Sequence, residues 1–482
     1  MGGLGGILLN SKDSTQRVHD RIKDKPNSYS IAKPRISKKV IIAGGGISGL
    51  CCAYELVKKG HEVVVLEAAG RYGGTVLSVH DGLADGLYAD FGAENFTKPG
   101  YKNYWKYVDE FKLPVIQYFH REGRLIREDG KWHTSEEMEG MRAEKAKKAG
   151  GFSNRELKFL SDYPNSNLSL LFLSPYFAKF TDEYEPFGIG YDQLENVPVS
   201  DIYKKEGASQ AALNILGGTQ SSALYEIWQA YIMDKRGYGQ GYDLYRLEGG
   251  NQVMTTEFSK RLGSRLKLNC KVTAIEHGQT VVTVKYRESE EDKTMSADFL
   301  VCCLRTPVMR NITIIPQLPA QKRFVVDNMT FEQTTRVVFQ AKSPFWLEDN
   351  TTINLTFNHP ALRTIWRVAE EVDTQRVALM AKAPGGTNPL RTLEAFKEFY
   401  PGKKSSISVE QVLVKDWAVD PYAHGCERFD FADLGSLSKY WPHTMSPFGR
   451  IHFAGGHTDN RSWGMEAATN SAIRAAMEVD QA

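Results

Sequence analysis

The first clear pattern in the chain is an apolar, β-branched run that ends in a cluster of glycines. Residues 40–42 form this run, which is typical of a buried parallel strand. Residues 50–59 then predict a helix that ends at Gly60, and residues 63–66 predict a second buried strand. This alternation of strand, helix and strand predicts a βαβ unit.

Three glycines at GxGxxG spacing lie between the first strand and the helix. Gly44 allows a tight turn, Gly46 lets backbone N–H groups approach a pyrophosphate, and Gly49 lets helix and strand pack. Glu67, after the second strand, can accept hydrogen bonds from an adenosine ribose. The motif has three possible interpretations: a site for FAD, a site for NAD(P), or a glycine-rich turn in an ordinary α/β domain. The predicted dinucleotide contacts are Gly44, Gly46, Ile47, Ser48, Gly49 and Glu67.

A long helical block follows this unit. Residues 134–137 form a capping box at its start, and helical signals extend to about Tyr238. Ser200 is the predicted N-cap of one helix, which ends near Gly217. A block of this length is too long for a loop, so it predicts an inserted domain.

Strand patterns dominate the remainder of the chain. Mixed α/β character returns over residues 246–277, and a buried strand over 450–456 is followed by a helix over 464–479. Four further segments predict the strands of a substrate-domain sheet: residues 334–339, 351–357, 361–368 and 376–383.

Composition narrows the classes of function. The 482 residues suffice for two or more domains, and a net charge of +2 without an aromatic-interleaved basic patch gives no indication of nucleic acid. The six cysteines lie mostly in apolar patterns, so no disulfide framework and no metal site is predicted. No apolar run approaches the roughly 20 residues that span a bilayer. The first ten residues fit either a truncated export signal or a flexible tail, which leaves cytoplasmic and exported locations open.

Three later segments, in the right order, resemble the flavin-containing amine oxidase family. EAAGRYGGTV (residues 67–76) resembles the stretch that passes over the FAD pyrophosphate, and ADFGAENF (89–96) resembles the stretch beneath the isoalloxazine ring. FAGGHTDNRSWGM (453–465) resembles the closing FAD motif. The resemblance covers most of residues 38–100, 246–310 and 412–480, and it implies FAD as the cofactor. The further FAD contacts that it implies are Ala68, Arg71, Gly73, Gly74, Thr75, Gly92, Ala93, Glu94, Asn95, Val272, Gly455, Gly456, Gly464, Met465 and Ala468.

The chain departs from the family pattern at three places. Thr75 stands where the family usually has an arginine, and Gly456 or His457 stands where it has a glutamate. Asn311, next to Arg310, stands where many members carry a lysine that hydrogen-bonds a water near flavin N5. No water-activating base is therefore assigned.

Cys426 has the spacing of members that attach FAD covalently through that cysteine. Those members follow the cysteine with an aromatic residue, whereas this chain has Glu427. Covalent attachment through Cys426 and a free thiol near the flavin ring both stay open.

The family oxidises amines in a dry pocket that aims the α C–H bond at the flavin, often between aromatic faces. Trp417, Tyr422 and Trp463 are the aromatic candidates for this pocket, and Glu94 is a polar candidate. Trp417 and Tyr422 fit a role in an aromatic core equally well.

The substrate class is left between amines and L-amino acids. Asn95 stands where amino-acid oxidases place an arginine for the substrate carboxylate, and Glu94 or Glu427 favours a cationic amine. Residues 450–476 nevertheless align without gaps to the amino-acid oxidases. A hairpin predicted around its turn at Asp129 carries three arginines that are candidates for the carboxylate: Arg121, Arg124 and Arg127.

The predicted fold is α/β, with a Rossmann-like FAD-binding domain and an inserted α+β substrate domain made of a mixed sheet and a helical block. The predicted boundaries are a tail (1–37), the FAD-binding domain (38–100, 243–309 and 426–482) and the substrate domain (101–242 and 310–425). The resemblance implies a FAD-dependent oxidase that acts on a small amine or amino acid with O2, and a homodimer is left open. The rivals are a desaturase or protoporphyrinogen-type oxidase on the same fold, and a non-catalytic flavin-binding scaffold.

Overall fold

The apolar run near the start of the chain forms a central strand of a parallel sheet in the computed structural model, which describes residues 36–118, 123–163, 167–238 and 241–482. The strands, in chain order, are β1 (Lys39–Ala43), β2 (Glu62–Leu66), β3 (Ser78–Val79), β4 (Ala89–Asp90), β5 (Phe96–Lys98), β6 (Val115–Gln117), β7 (Leu125–Glu128), β8 (Lys131–Thr134), β9 (Asp243–Leu247), β10 (Leu266–Lys267), β11 (Cys270–His277), β12 (Val282–Glu288), β13 (Glu291–Ala297), β14 (Phe299–Cys302), β15 (Thr313–Ile315), β16 (Thr334–Ala341), β17 (Leu355–His359), β18 (Leu362–Val368), β19 (Val377–Pro384), β20 (Val409–Asp416) and β21 (Ile451–Phe453).

The helices lie between and after these strands. The α-helices, in chain order, are α1 (Ile47–Lys58), α2 (Lys102–Phe111), α3 (Ser135–Lys148), α4 (Asn154–Asp162), α5 (Ser169–Leu173), α6 (Val199–Lys205), α7 (Gln210–Leu216), α8 (Ala223–Lys235), α9 (Gln252–Leu262), α10 (Thr306–Met309), α11 (Ala320–Asn328), α12 (Phe345–Glu348), α13 (Pro389–Phe399), α14 (Leu437–Tyr440) and α15 (Gly464–Gln481). Short 3-10 helices span Ser174–Lys179, Asp192–Asn196, Gly263–Arg265, Lys404–Ser406 and Gly456–Thr458.

The parallel sheet has the strand order β10-β2-β1-β14-β21. β1 pairs with β2 on one side and with β14 on the other, so that Val40 lies opposite Val63 and Phe299. α1 connects β1 to β2 and packs against α15 on one face of the sheet, where Leu50 and Ala475 are fully buried. This is the arrangement of a nucleotide-binding βαβ unit, and the predicted Rossmann-like α/β fold is confirmed.

A second sheet, with the order β13-β12-β11-β15, covers the opposite face. Ile41 of β1 and Leu66 of β2 share a buried core with Ile275 of β11 and Val284 of β12. The parallel strands are therefore covered on both faces, which explains why they are apolar at successive positions rather than at alternate ones.

The predicted substrate-domain sheet has the order β20-β16-β19-β18-β17-β7-β8 within the described residues. β16 pairs antiparallel with β19 and β20, whereas β7 pairs parallel with β17, so the sheet is mixed. On one face Phe339 packs against Phe396 of α13. On the other face Val338 and Met380 share a core with Tyr88 and Phe91, next to the segment predicted to lie beneath the flavin.

The helical block starts with the predicted capping box. The backbone N–H of Glu137 donates to the Thr134 hydroxyl at 3.1 Å, and the Thr134 N–H donates to the Glu137 carboxylate at 2.9 Å. The prediction that Ser200 caps a helix is wrong, because α6 begins at Val199 with Pro198 as its N-cap.

The helix predicted to run to Gly217 is in fact two helices. Gly207 adopts a φ of +80° after α6, and Ser209 caps α7 by accepting a hydrogen bond from the Ala212 N–H at 3.1 Å. α7 ends at Leu216, with Gly217 as its C-cap, as the pattern predicted.

Some predictions lie outside the described residues, namely residues 1–35 of the tail and the candidate Arg121. The domain boundaries remain predictions. Across the described ranges, none of the helices combines the length and the apolar character needed to cross a membrane.

Candidate functional site

The two glycine motifs meet at the carboxyl end of the parallel sheet. Gly44 has a φ of +103°, and its N–H donates to the Leu66 carbonyl at 2.8 Å. Gly46 forms a bridge with Gly73, and a Cβ at Gly74 would lie 3.1 Å from the Cα of Gly46. The two backbones come this close because glycine has no side chain.

The backbone holds Glu67 at this junction. Its Oε2 accepts a hydrogen bond from the Gly45 N–H at 2.6 Å, and its Oε1 accepts one from the Ala69 N–H at 2.8 Å. Burial raises the pKa of Glu67, and these hydrogen bonds partly offset that effect. Because an ionised carboxylate accepts about four hydrogen bonds, Glu67 retains acceptor capacity for ribose hydroxyl groups.

Two helices begin at the same cavity. α1 starts after Gly46 and α15 starts after Trp463, and no side-chain hydrogen bond is described at either N-cap. Glu466, in the first turn of α15, accepts hydrogen bonds from the N–H groups of Asn103 and Tyr104. The positive ends of both helix dipoles are therefore available to an anionic ligand.

The cavity has a volume of ≈ 350 Å³ and extends from the glycine motifs to the substrate-domain sheet. It is lined by most of the residues that the sequence singled out: Gly44, Gly46, Ile47, Ser48, Glu67, Ala68, Gly73, Gly74, Thr75, Gly92, Ala93, Glu94, Asn95, Tyr422, Cys426, Glu427, Gly455, Gly456, His457, Trp463, Gly464, Met465 and Ala468. Sequence reasoning missed several others: Tyr101, Arg305, Phe331, Glu332, Arg336, Lys382 and Arg428.

Three of the predicted FAD contacts are not among the lining residues. Gly49 packs α1 onto the loop after β1, because a Cβ there would lie 1.9 Å from the Gly44 carbonyl oxygen. Arg71 donates to the Gly74 carbonyl at 2.7 Å and so supports the second glycine motif. Val272 is buried in the core of the second sheet.

The two predicted pocket tryptophans lie in different places. Trp417 is fully buried outside the lining, where its indole N–H donates to the Phe91 carbonyl at 2.7 Å. Trp463 lines the cavity and packs edge-on against Tyr101, with 5.9 Å between the ring centroids. Trp417 therefore supports the cavity wall, whereas Trp463 can contact a ligand.

Glu94 is buried and held by two neutral donors. Its Oε1 accepts hydrogen bonds from the Tyr118 hydroxyl at 2.5 Å and from the Trp366 indole N–H at 2.6 Å. Its Oε2 lies 3.9 Å from Nη1 of Arg336, too far for a hydrogen bond.

Two further acidic residues, Glu332 and Glu427, line the cavity. Glu332 is paired with Lys382, with 2.8 Å between Oε1 and Nζ. Glu427 projects into the cavity. Its side chain is therefore accessible to solvent, although many protein atoms lie around it. The loss of bulk water and the nearby Glu332 carboxylate raise the pKa of Glu427.

Arg305 fixes the loop that carries Cys426 and Glu427. Its guanidinium donates to the carbonyl of Gly425 at 2.7 Å and to the carbonyl of Cys426, and burial lowers its pKa. A signal for Arg305 was present in the sequence, because it lies three residues after the buried parallel strand β14, at the sheet edge where ligands bind.

The arginines proposed from the hairpin do not line the cavity. Arg127 stacks on Phe399 at the far edge of the substrate-domain sheet, with 4.2 Å from its guanidinium carbon to the ring centroid. Arg124 is also absent from the lining residues, as are Arg310 and the exposed Asn311.

The residues of the cavity fit FAD. Gly46 and Gly74 leave room for a ligand at the N-terminus of α1, where a pyrophosphate is favoured. Glu67 is placed for a ribose, and α15 directs a second helix N-terminus into the same cavity. Fold and site together define a FAD-dependent oxidoreductase with a separate substrate sheet.

Comparison with known proteins identifies the family. The model of the family described as flavin containing amine oxidoreductase matches residues 47–480, so the chain belongs to this family. An L-amino-acid oxidase from Vipera ammodytes ammodytes is 23% identical over 488 residues, covering 92% of this chain and 93% of the relative. A second, from Bothrops pictus, is 22% identical and covers 96% of this chain and 95% of the relative.

Solved structures share the fold. Cyclohexylamine oxidase from Brevibacterium oxydans has a TM-score of 0.69 at 18% identity, covering 92% of this chain and 99% of that one. Putrescine oxidase bound to putrescine has a TM-score of 0.67 at 19% identity, covering 93% of this chain and 100% of that one. The FAD-dependent amine oxidase fold is therefore shown.

Proposed function

We propose that this protein is an oxidase that removes a hydride from the C–H bond α to the nitrogen of a small amine or L-amino acid. The electrons pass through FAD to O2, which gives H2O2 and an imine, and water hydrolyses the imine to a carbonyl compound and ammonia. One observation carries the proposal: the cavity lined by the FAD motifs continues to the charged face of the substrate-domain sheet. A cofactor and a small polar substrate can therefore meet in one enclosure.

When bound, FAD supplies the hydride acceptor and transfers the electrons to O2. The glycine motifs and the N-terminus of α1 would hold its pyrophosphate, and Glu67 would hold the adenosine ribose. The N-terminus of α15 would stabilise negative charge on the flavin ring. Among the pocket candidates, Trp463 would provide an apolar surface for the substrate.

The amine must lose its ammonium proton before it can give up a hydride. Glu427 is the carboxylate that we propose for this step, because it projects into the cavity while Glu332 is paired with Lys382. Its raised pKa brings the carboxylate closer to the pH at which a general base works best. Its Oε atoms would accept the ammonium proton and hold it during catalysis.

The alternatives fit the cavity less well. A desaturase for a bulky apolar substrate would not need Arg336 and Glu427 on the cavity wall. Among the described residues neither side chain has an ion-pair partner at hydrogen-bonding distance, and an unneutralised charge would cost free energy against such a ligand. A flavin-binding scaffold would be favoured by an occluded cavity, whereas this one continues beyond the FAD motifs to Arg336 and Lys382 on the substrate-domain sheet.

Relatives support both substrate types. The similarity to proteins named L-amino-acid oxidase favours amino acids, and the structural likeness to cyclohexylamine oxidase and putrescine oxidase favours amines.

Anaerobic titration of the purified yellow protein tests the function. Flavin absorbance at roughly 450 nm is followed while L-amino acids or amines are added in separate series. Bleaching by either series, with H2O2 produced after air is admitted, is the expected result. If neither series bleaches a flavin that dithionite still reduces, the amine-oxidation proposal is wrong.

A further inference from the structure

Three cations lie side by side on the substrate-domain sheet. In the register of β20, β16 and β19, Arg336 is opposite Lys415 on one side and opposite Lys382 on the other. Residues directly opposite each other point to the same face of a sheet. This row therefore presents three adjacent positive charges on one face, and Arg336 and Lys382 from it line the cavity.

The two outer members of this row are neutralised within the protein. Lys415 lies 2.5 Å from a carboxylate oxygen of Asp420, and Lys382 lies 2.8 Å from one of Glu332. Their charges are thus already balanced by partners at hydrogen-bonding distance.

Arg336 differs from both lysines. Among the described residues its side chain makes no hydrogen bond, and its buried Nε and Nη1 atoms are without partners. Glu94, the nearest acid, stays 3.9 Å from Nη1 and is already held through its other oxygen. A guanidinium that is only 12% exposed and lacks a hydrogen bond is costly unless a ligand supplies the acceptor.

The other arginines of the cavity are already engaged. Arg305 donates to the carbonyls of the loop that carries Cys426. Arg428 donates to the carbonyls of Phe429 at 3.2 Å and Asp459 at 3.3 Å. Arg428 keeps one buried donor, Nε, without a partner, whereas no donor of the Arg336 side chain has a described hydrogen bond. Among the described arginines of the cavity, Arg336 therefore has the most donors available for an anionic ligand.

We propose that Arg336 binds the carboxylate of the substrate, and that the substrate class is therefore an α-amino acid rather than a simple amine. This inference rests on the proposed oxidation of a C–H bond next to nitrogen. An α-amino acid carries a carboxylate and an ammonium on one carbon, which match a cavity that has Arg336 on its sheet wall and Glu427 on a loop. A simple amine would offer the guanidinium no anionic group.

The position of Arg336 also resolves a difficulty of the sequence. Asn95 occupies the place of the carboxylate-binding arginine, and the hairpin arginines do not reach the cavity. Arg336 instead enters from strand β16 of the substrate-domain sheet, close to Glu94 in the segment that precedes Asn95. A positive charge thus reaches the cavity from strand β16 and not from the segment that contains Asn95.

Ligand binding to the holoprotein tests this assignment without turnover. Benzoate and benzamide have nearly the same shape and differ in charge, and each is titrated while the flavin absorbance spectrum is recorded. Arg336→Gln should weaken benzoate at least about 30-fold and leave benzamide within about twofold, because only the charge-assisted hydrogen bonds are lost. Arg336→Lys should restore part of the benzoate affinity, because it keeps the charge but not the planar fork.

Arg363→Gln is the matched control. Arg363 lies on β18 with its side chain 52% exposed, 3.6 Å from Glu332, and it does not line the cavity. This variant should bind benzoate like the original protein. Equal benzoate affinity in the original protein and in Arg336→Gln, with FAD retained in both, would overturn the assignment.

Substrate pairs separate this inference from the proposed function. Each pair consists of an amino acid and the amine that lacks its carboxylate. The pairs are L-phenylalanine with phenethylamine, and L-leucine with isopentylamine. Anaerobic bleaching by the amino acid of a pair, with a KM that rises in Arg336→Gln, supports both proposals. Bleaching by the amines alone retains the oxidase and refutes the carboxylate site. Bleaching by no member of a wider amine and amino-acid panel refutes the oxidase, and the assignment of Arg336 is then rejected with it.

Discussion

The indole N–H of Trp417 donates to the carbonyl of Phe91 at 2.7 Å, directly before the glycine that lies at the cavity wall. Trp417 is fully buried, and its Cζ2 would lie 3.4 Å from a Cβ at Gly92. A residue of the substrate-domain sheet edge thus supports, from outside the cavity, the segment predicted to lie beneath the flavin. The aromatic residue that the sequence placed in the pocket has a supporting role.

Trp417→Phe should reduce stability and spare catalysis. Phenylalanine retains most of the ring packing but leaves the Phe91 carbonyl without its donor, so the free energy of unfolding should fall by about 1–2 kcal/mol. Because Trp417 does not line the cavity, kcat should stay within about twofold. Thermal unfolding and steady-state turnover measure the two effects. Trp463→Phe, which alters a lining residue, should instead change kcat or KM. A large loss of turnover in Trp417→Phe at unchanged stability would contradict the supporting role of Trp417.

Gly92→Ala should prevent FAD binding. A Cβ at Gly92 would lie 1.7 Å from the carbonyl oxygen of Thr75, so one of the two segments that line the cavity must move. We expect purified Gly92→Ala to have lost most of the flavin absorbance at roughly 450 nm.

Gly140→Ala is the control for this substitution. Gly140 lies within α3, and nothing lies within 4 Å of an added Cβ. This variant should keep its flavin and gain about 0.5–1 kcal/mol of stability. Equal flavin content in the two variants would show that the wall at Gly92 tolerates a methyl group.

The FAD unit was predictable because its signals are local. Gly44, Gly46 and Glu67 lie within one βαβ unit, so their spacing in the sequence fixes their spacing in the fold. The C-terminal strand and the helix that follows it are also adjacent in sequence. The resemblance to the flavin-containing amine oxidase family then indicated FAD as the cofactor.

The residues of the substrate-domain sheet that line the cavity were not predictable in the same way. Arg336 and Lys382 are single charges in apolar strands, which is a visible signal, but nothing local tells which face of the sheet meets the cavity. Their pairing depends on the register of two strands that lie far apart in the chain. The split of one predicted helix at Gly207 has a similar cause, because helical signals on both sides hide a left-handed glycine.

FAD should be released from the protein by acid denaturation. Burial raises the pKa of the Cys426 thiol, so at neutral pH it is held as a thiol, which is a far weaker nucleophile than a thiolate. We therefore predict that trichloroacetic acid leaves the yellow colour in the supernatant. Cys426→Ala should retain FAD at the same occupancy. Flavin that stays with the precipitate of the original protein, and not with that of Cys426→Ala, would instead show a covalent bond.

Lys322→Met should stabilise the protein in a pH-dependent way. Lys322 is 6% exposed, its Nζ lies 3.7 Å from the centroid of the Phe453 ring, and burial lowers its pKa to about 7 from 10.5. Below pH 10.5 the unfolded chain binds a proton that the folded chain lacks, so the stability of the original protein falls as the pH decreases towards 7. Below about pH 7 both states are protonated, and the difference levels off.

The melting temperature of the holoprotein between pH 6 and 10 measures this effect. Methionine does not titrate, so the advantage of Lys322→Met should be small at pH 10 and reach roughly 2–4 kcal/mol at pH 7. Arg323→Met is the control, because Arg323 lies on the same helix, is 48% exposed and pairs with Asp327. Its effect should not vary over this range, because arginine and aspartate side chains ordinarily titrate outside pH 6 to 10. An advantage of Lys322→Met that is constant with pH would mean that Lys322 remains charged inside the fold.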